Sequence, residues 1–244
     1  MKNKVLLFLV LICIFFMYSC GNSGRRHKRE KAQTAISGRK ARQVTANSNV
    51  EMSSNTKQMS GSEIFQKYNS AVFMVYTSDG YNAFQGSGFF ISPNGIAVSN
   101  YHVFKGTGIG LETIKLSSGE GLNIEKVIAK SDEEDFIIFQ VQMKSNRRFA
   151  YIPIASRSSS VGEKVYAIGS PRGLENTFSS GEISQKRDNN IIQISVPIDH
   201  GSSGGALINS YGEVIGITSG GRDDSGANLN FAIEIKVIRR VLGK

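Results

Sequence analysis

The chain of 244 residues is long enough for one large or two small domains, and too long for a disulfide-stapled miniprotein. Hydrophobic residues make up 40% and charged residues 20%, which excludes a chain disordered throughout. The net charge of +9 sits wholly in residues 1–50, since nineteen bases balance nineteen acids over 51–244; a nucleic-acid-binding body would carry its own basic face, so no nucleic-acid partner is expected.

The chain begins with Lys2 and Lys4, followed by an apolar run of 14 residues from Val5 to Tyr18. A membrane-spanning helix needs about 20 apolar residues, so the run reads as the core of a secretory signal peptide over 1–19. Cys20 directly after it resembles the acylated cysteine of a bacterial lipoprotein signal, with Ser19 as the small residue before it. Met17 and Tyr18 depart from that pattern, and an ordinary signal peptide or an uncleaved short anchor are the alternatives. The expected location is the bacterial cell envelope, with a lipid anchor on the periplasmic or outer-membrane side. Cys13 and Cys20 are the only cysteines, so the body is expected to hold neither a disulfide nor a cysteine metal site, and no cofactor or metal is expected. Residues 20–60 lack an apolar period and are rich in Ser, Asn, Gln, Lys and Arg, which predicts a flexible basic tether.

From residue 61 the texture changes to a folded domain running to 244. Residues 62–70 read as a short helix. Apolar, β-rich runs follow at 71–77, 84–91, 95–100, 109–117, 122–129, 136–142, 164–170, 177–185, 190–196, 205–209, 213–219 and 229–233, separated by turn residues. Gly is frequent, at 26, and Pro rare, at 4, as tight turns between strands require. Short strands at this spacing predict an all-β sandwich or barrel. Two barrels of about six strands fit the length, dividing in the 147–160 region into 61–152 and 153–244. Ile235, Ile238 and Leu242 at helical spacing close the domain with a short C-terminal helix.

The sharpest motif is Gly201-Ser202-Ser203-Gly204-Gly205. A serine between glycines on a tight turn can present its hydroxyl while backbone N–H groups face the same space. Alone it is no more than a flexible Gly/Ser turn. A nucleophilic serine needs a base, and the chain has three histidines: His27 in the tether, His102 at the end of a predicted strand, and His200 three residues before Ser203. The third group should be a carboxylate that orients the imidazole. Asp135 precedes the strand Phe136-Ile137-Ile138-Phe139 and can point inward, while Asp132, Glu133 and Glu134 are expected to face solvent. The order His102, Asp135, Ser203 excludes an α/β-hydrolase, whose histidine follows its serine, and is that of the chymotrypsin type. The loop Lys105-Gly106-Thr107-Gly108-Ile109-Gly110 lies outside any βαβ unit and reads as a surface loop.

The segments SNYHVF, DFIIFQV, AIGSPRGLENTFSSGEIS, GSSGGALINSYGEVIGITSGG and LNFAIEI, in that order, resemble the protease domain of HtrA/DegP-type trypsin-fold serine proteases over about 70–244. The resemblance implies a chymotrypsin/trypsin-like double β-barrel with His102 as general base, Asp135 as its orienting acid and Ser203 as nucleophile. It implies an oxyanion hole made by the N–H groups of Gly201 and Ser203, with Ser202 as a further donor. It implies unfolded or damaged envelope polypeptides as substrates, and a homotrimer assembled through residues near 60–70. Three departures stand against it. No PDZ domain follows the protease segment, Ser202 replaces the usual Asn, and Tyr101 replaces a small or amide residue. Pro197 stands six residues before Ser203, where Arg- or Lys-directed enzymes carry Asp. With Ile198 and Ile217-Thr218-Ser219 it suggests a pocket for small or medium aliphatic side chains. No Asp precedes Ser203 to pair with a cut N-terminus, so no activation cleavage is expected. The alternative function is a non-catalytic or chaperone-like binding module on the same fold.

Overall fold

A computed structural model of the chain describes residues 50–53, 55–107, 110–144, 146–170, 176–222 and 229–243. The signal peptide, Cys20 and the tether up to residue 49 lie outside the described residues, as does part of the 105–110 loop.

The described chain starts packed rather than tethered. Val50 is buried, and strand β1 (Met52–Ser53) pairs in parallel with β9 (Ile154–Ala155). Residues 50–60 therefore depart from the expected tether. Their polar side chains hid the anchoring: Asn55 donates its backbone N–H to the buried Glu213 carboxylate, and Met59 donates to the Ser210 carbonyl.

Helix α1 (Gly61–Tyr68) begins one residue before the expected helix and ends two earlier, continuing as a 3-10 turn over Asn69–Ala71. Its start is fixed by a capping box, in which the Ser60 hydroxyl accepts from the Glu63 amide and the Glu63 carboxylate accepts from the Ser60 amide. Ile64 and Tyr68, four residues apart, bury the inner face.

Strands β2 (Val72–Ser78), β3 (Ala83–Phe90), β4 (Ile96–Ser99), β5 (Thr113–Lys115), β6 (Gly121–Leu122), β7 (Ile124–Ser131) and β8 (Phe136–Val141) form one sheet in the order β6-β5-β2-β3-β4-β8-β7. The second sheet holds β1 and β9, then β10 (Lys164–Gly169), β11 (Thr177–Arg187), β12 (Ile191–Ile194), β13 (Ala206–Asn209), β14 (Val214–Arg222) and β15 (Leu229–Glu234). Pairing of β14 with β15 closes six of these strands into a barrel. Helix α2 (Lys236–Val241) follows. The expected double barrel stands, with its division in the connector between β8 and β9. The expected strand over 109–117 shrinks to three residues, and the two-residue strands β1 and β9 are too short to give a period.

Alternation within the strands sorts the apolar side chains into three clusters. Phe73, Phe90, Phe139 and Phe149 fill the first barrel. Val165, Ile183, Ile194 and Leu207 fill the second. Phe89, Val98, Ile138, Ile168, Ile208 and Ile217 join the largest cluster, which draws on strands of both barrels. Neighbours Phe89 and Phe90 thus serve different clusters, as a period of two requires. This shared apolar seam brings the ends of β4, β8 and β14 to one place.

Candidate active site

His102 lies in the turn after β4, and Asp135 in the turn between β7 and β8. Asp135 adopts φ +47°, an uncommon conformation for a residue with a side chain. Asn100, fully buried, holds it there by donating its side-chain N–H to the Asp135 carbonyl at 2.9 Å. The carboxylate then faces His102 twice. One oxygen accepts the His102 backbone N–H at 2.8 Å, and the other lies 2.8 Å from Nδ1 of the ring. That second oxygen also accepts the Ser219 hydroxyl at 3.2 Å, from β14 of the other barrel. A carboxylate against Nδ1 favours the Nδ1–H tautomer and leaves Nε2 able to take a proton.

Ser203 sits on a turn built from backbone bonds. Ser202 N–H donates to the Asp199 carbonyl at 3.0 Å, Gly205 N–H to Ser202 at 3.0 Å, and Gly204 N–H to Thr218 at 2.8 Å. The Thr218 hydroxyl closes the turn on the Ser202 carbonyl at 2.6 Å. Gly201 and Gly204 take φ of +92° and +90°. At Gly204 a Cβ would lie 2.1 Å from the Ser87 carbonyl oxygen, so no side chain fits.

Ser87, in β3 and fully buried, ties this turn to the first barrel. Its N–H donates to the Ser203 carbonyl at 2.7 Å and its hydroxyl to the Gly201 carbonyl at 2.7 Å. The same hydroxyl accepts the Ser170 N–H at 2.9 Å. With their carbonyls pinned, Gly201 and Ser203 keep amides that meet no acceptor among the described residues. Ser202 differs from expectation: its amide is spent within the turn on Asp199, so it cannot serve a ligand.

His102 and Ser203 line one cleft of about 550 Å³, with Gly201, Ser219, Gly220 and Gly221 beside them. Gly220, at φ +85°, lies beside Ser203, and a Cβ there would be in ordinary van der Waals contact with Ser203 Oγ at 3.6 Å. No hydrogen bond joins the His102 ring to Ser203 among the described residues. His200 lines the cleft, as does Ile198. Pro197 is exposed and not among the lining residues, while Ile217 and Thr218 are buried in the barrel. Of the expected pocket residues Ile198 and Ser219 line the cleft, where Ala83, Phe84 and Val103 add apolar surface and Asp199 adds an acid.

Sequence reasoning missed Ser87, Asn100 and the bond from Ser219. Gly86-Ser87-Gly88 carries the same serine-between-glycines signal as the Ser203 turn, and Asn100 stands two residues before His102. Glu134 was expected in solvent. It is half-buried and accepts from Arg240 and Asn190.

The family model of the trypsin-like peptidase domain matches residues 86–217, just over half of the chain. A probable periplasmic DegP-like serine endoprotease of Rhizobium meliloti is 34% identical over 160 residues, covering 62% of this chain and 31% of that protein. A protein of the same description from Pseudomonas savastanoi is 37% identical over 165 residues, covering 62% and 33%. The chain spans about a third of the length of these curated relatives. Among solved structures, a serine endoprotease of Yersinia pestis superposes with a TM-score of 0.66 at 26% identity, covering 77% of this chain and 68% of that one. An HtrA-type protease with a bound tripeptide gives 0.67 at 25% identity, covering 76% and 63%.

Proposed function

The chain belongs to the trypsin-like peptidase family, HtrA type, and from that premise we propose a serine endopeptidase worked by His102, Asp135 and Ser203. The observation that carries the assignment is the hydrogen-bonded chain from Ser219 through Asp135 to the His102 ring, facing Ser203 across one cleft.

In this reading Nε2 of His102 takes the Ser203 proton as Oγ attacks the substrate carbonyl carbon. The carbonyl electron pair moves to oxygen, and the Gly201 and Ser203 N–H groups, which lack acceptors among the described residues, stabilise the charge. His102 then gives its proton to the leaving amine as the C–N bond breaks. Water, deprotonated by the same imidazole, releases the acyl group and restores the Ser203 hydroxyl. Asp135 holds the tautomer and stabilises the imidazolium in both halves.

The substrate class proposed is unfolded or damaged envelope polypeptide. It is supported by the periplasmic relatives. Ile198 with the glycine wall favours small or medium aliphatic residues before the scissile bond. A lipid on Cys20, supported by the leader sequence, and a trimer through residues near 60–70, supported by the family resemblance, complete the reading.

The test is fluorophosphonate labelling of the protein with and without unfolded casein. A single adduct on Ser203, absent from Ser203→Ala, is the expected result, and Ser203→Ala should lower turnover by about 10⁶. An adduct elsewhere, or none under either condition with the protein folded, would overturn the assignment.

A further inference from the structure

The base and its acid stand on the first barrel, and the proposed nucleophile on the second. Their separation is therefore set by how the barrels dock. The apolar seam holds the barrels together but is non-directional, so it fixes registry weakly. Directional bonds across the seam do that. Ser87 supplies them on the nucleophile side.

On the acid side one directional bond is the Ser219 hydroxyl on Asp135 itself, and the others come from Glu134, the residue before Asp135. Its carboxylate oxygens lie 2.5 and 2.6 Å from Nη2 of Arg240 on α2. One of them also accepts the Asn190 side-chain N–H at 3.1 Å, from the turn between β11 and β12. Asn190 is itself fixed, since its carbonyl accepts the Glu234 N–H at 2.7 Å. On the first-barrel side the Glu134 N–H donates to the Ser131 hydroxyl at 3.0 Å. Two elements of the second barrel's chain thus grip a residue bonded directly to Asp135, whose φ of +47° the local backbone does not favour.

We propose that Glu134 is a positioning residue, which through Arg240 and Asn190 sets Asp135 and His102 at working distance from Ser203. The inference rests on the serine-peptidase reading for its consequence, and on the geometry alone for its mechanics. Arg240 is 60% exposed on its side chain, and an exposed pair adds little to folding stability. Its effect is on position: a misplacement of about 1 Å costs on the order of 100-fold in rate, so partial release should cost about tenfold.

The test compares wild type with Glu134→Gln, Arg240→Gln and the exchange Glu134→Arg with Arg240→Glu. The readouts are fluorophosphonate acylation rate, peptide kcat and KM, Tm, and the proton resonance of the His102 Nδ1–H. Each single variant should acylate about tenfold more slowly with KM held and Tm within a few degrees. The exchange should recover most of the rate. The Nδ1–H resonance should move and broaden in the single variants, a signature that a merely structural ion pair would leave in place. An unchanged resonance and an unchanged acylation rate in folded Glu134→Gln would sink the proposal. Should wild type itself fail to acylate while the resonance still moves, the peptidase reading falls and the positioning role stands. Arg240→Gln guards against misfolding, because it cuts the same bond from an exposed position.

Discussion

The two barrels furnish the cleft by different means. The first contributes side-chain chemistry: an imidazole, a carboxylate with one oxygen on the ring and one on the His102 backbone N–H, and a buried amide behind the carboxylate. The second contributes mainly backbone: a turn whose carbonyls are pinned and whose two amides meet no acceptor among the described residues. Side-chain chemistry is lost by changing one functional group. Backbone geometry is lost only when its supports or its glycines change. The two halves should therefore answer to different mutations, and the difference can be measured.

The sharpest attack on the first half is Asp135→Asn. The amide reproduces the shape but presents N–H or C=O where Nδ1–H needs an anion, so the wrong tautomer is held. In the proposed mechanism kcat/KM should fall by about 10⁴ with the fold intact. A fall below tenfold, with circular dichroism unchanged, would move the orienting role to another acid.

Against the second half the strongest change is Gly204→Ala. The added carbon would meet the Ser87 oxygen at 2.1 Å and the Ser99 hydroxyl at 2.4 Å, in a conformation with φ of +90°. Neither neighbour can yield, because both are buried in the sheet. Denaturant titration should show a loss of about 3–5 kcal/mol or failure to fold. A milder probe is Ser87→Ala, which frees the Gly201 carbonyl and strands the Ser170 N–H. Stability should fall by about 1–3 kcal/mol. Turnover should fall by about 10², through a loosening of the proposed oxyanion site rather than a lost donor. A drop in Tm with full kcat would show that the turn keeps its shape without Ser87.

The same contrast explains what the sequence disclosed. His102, Asp135 and Ser203 stand out as the proposed triad because each is a reactive residue type with a characteristic neighbour and chain order. The strands were readable because burial on one face imposes a period of two, and the barrel division fell in a connector without that period. Supports made of backbone bonds leave no such mark. Ser87 and Ser219 are ordinary serines in strands until folding places their hydroxyls on Gly201 and Asp135. The amide of Ser202 could not be assigned a direction from composition, and only the turn shows it consumed by Asp199. Residues 50–60 look solvated because their anchors are backbone groups and a distant carboxylate, Glu213, more than 150 positions away. Glu134 was misread for a related reason: its partners lie on α2 and the β11–β12 turn, far along the chain.

The smallest expected effect tests whether charge in the second barrel supports the fold rather than the chemistry. Glu234 ends β15 with its side chain 8% exposed, and it pairs with Lys186 at 2.5 Å and with Lys236. Burial alone would raise its carboxyl pKa, but the two lysine ammonium groups outweigh burial and hold it below the ordinary carboxylate value. A carboxyl whose folded pKa is depressed adds stability above its unfolded pKa and loses it as pH falls through the folded one. Glu234→Gln should thus cost about 1 kcal/mol at neutral pH. The gap from wild type should shrink as the pH drops through and below about 4. Because neither lysine reaches the cleft, kcat should not change at any pH where both proteins are folded. A pH-independent gap would assign the residue's contribution to shape and hydrogen bonding instead of charge. A shift in kcat would mean that the barrels are less separable than their different means of building the cleft imply.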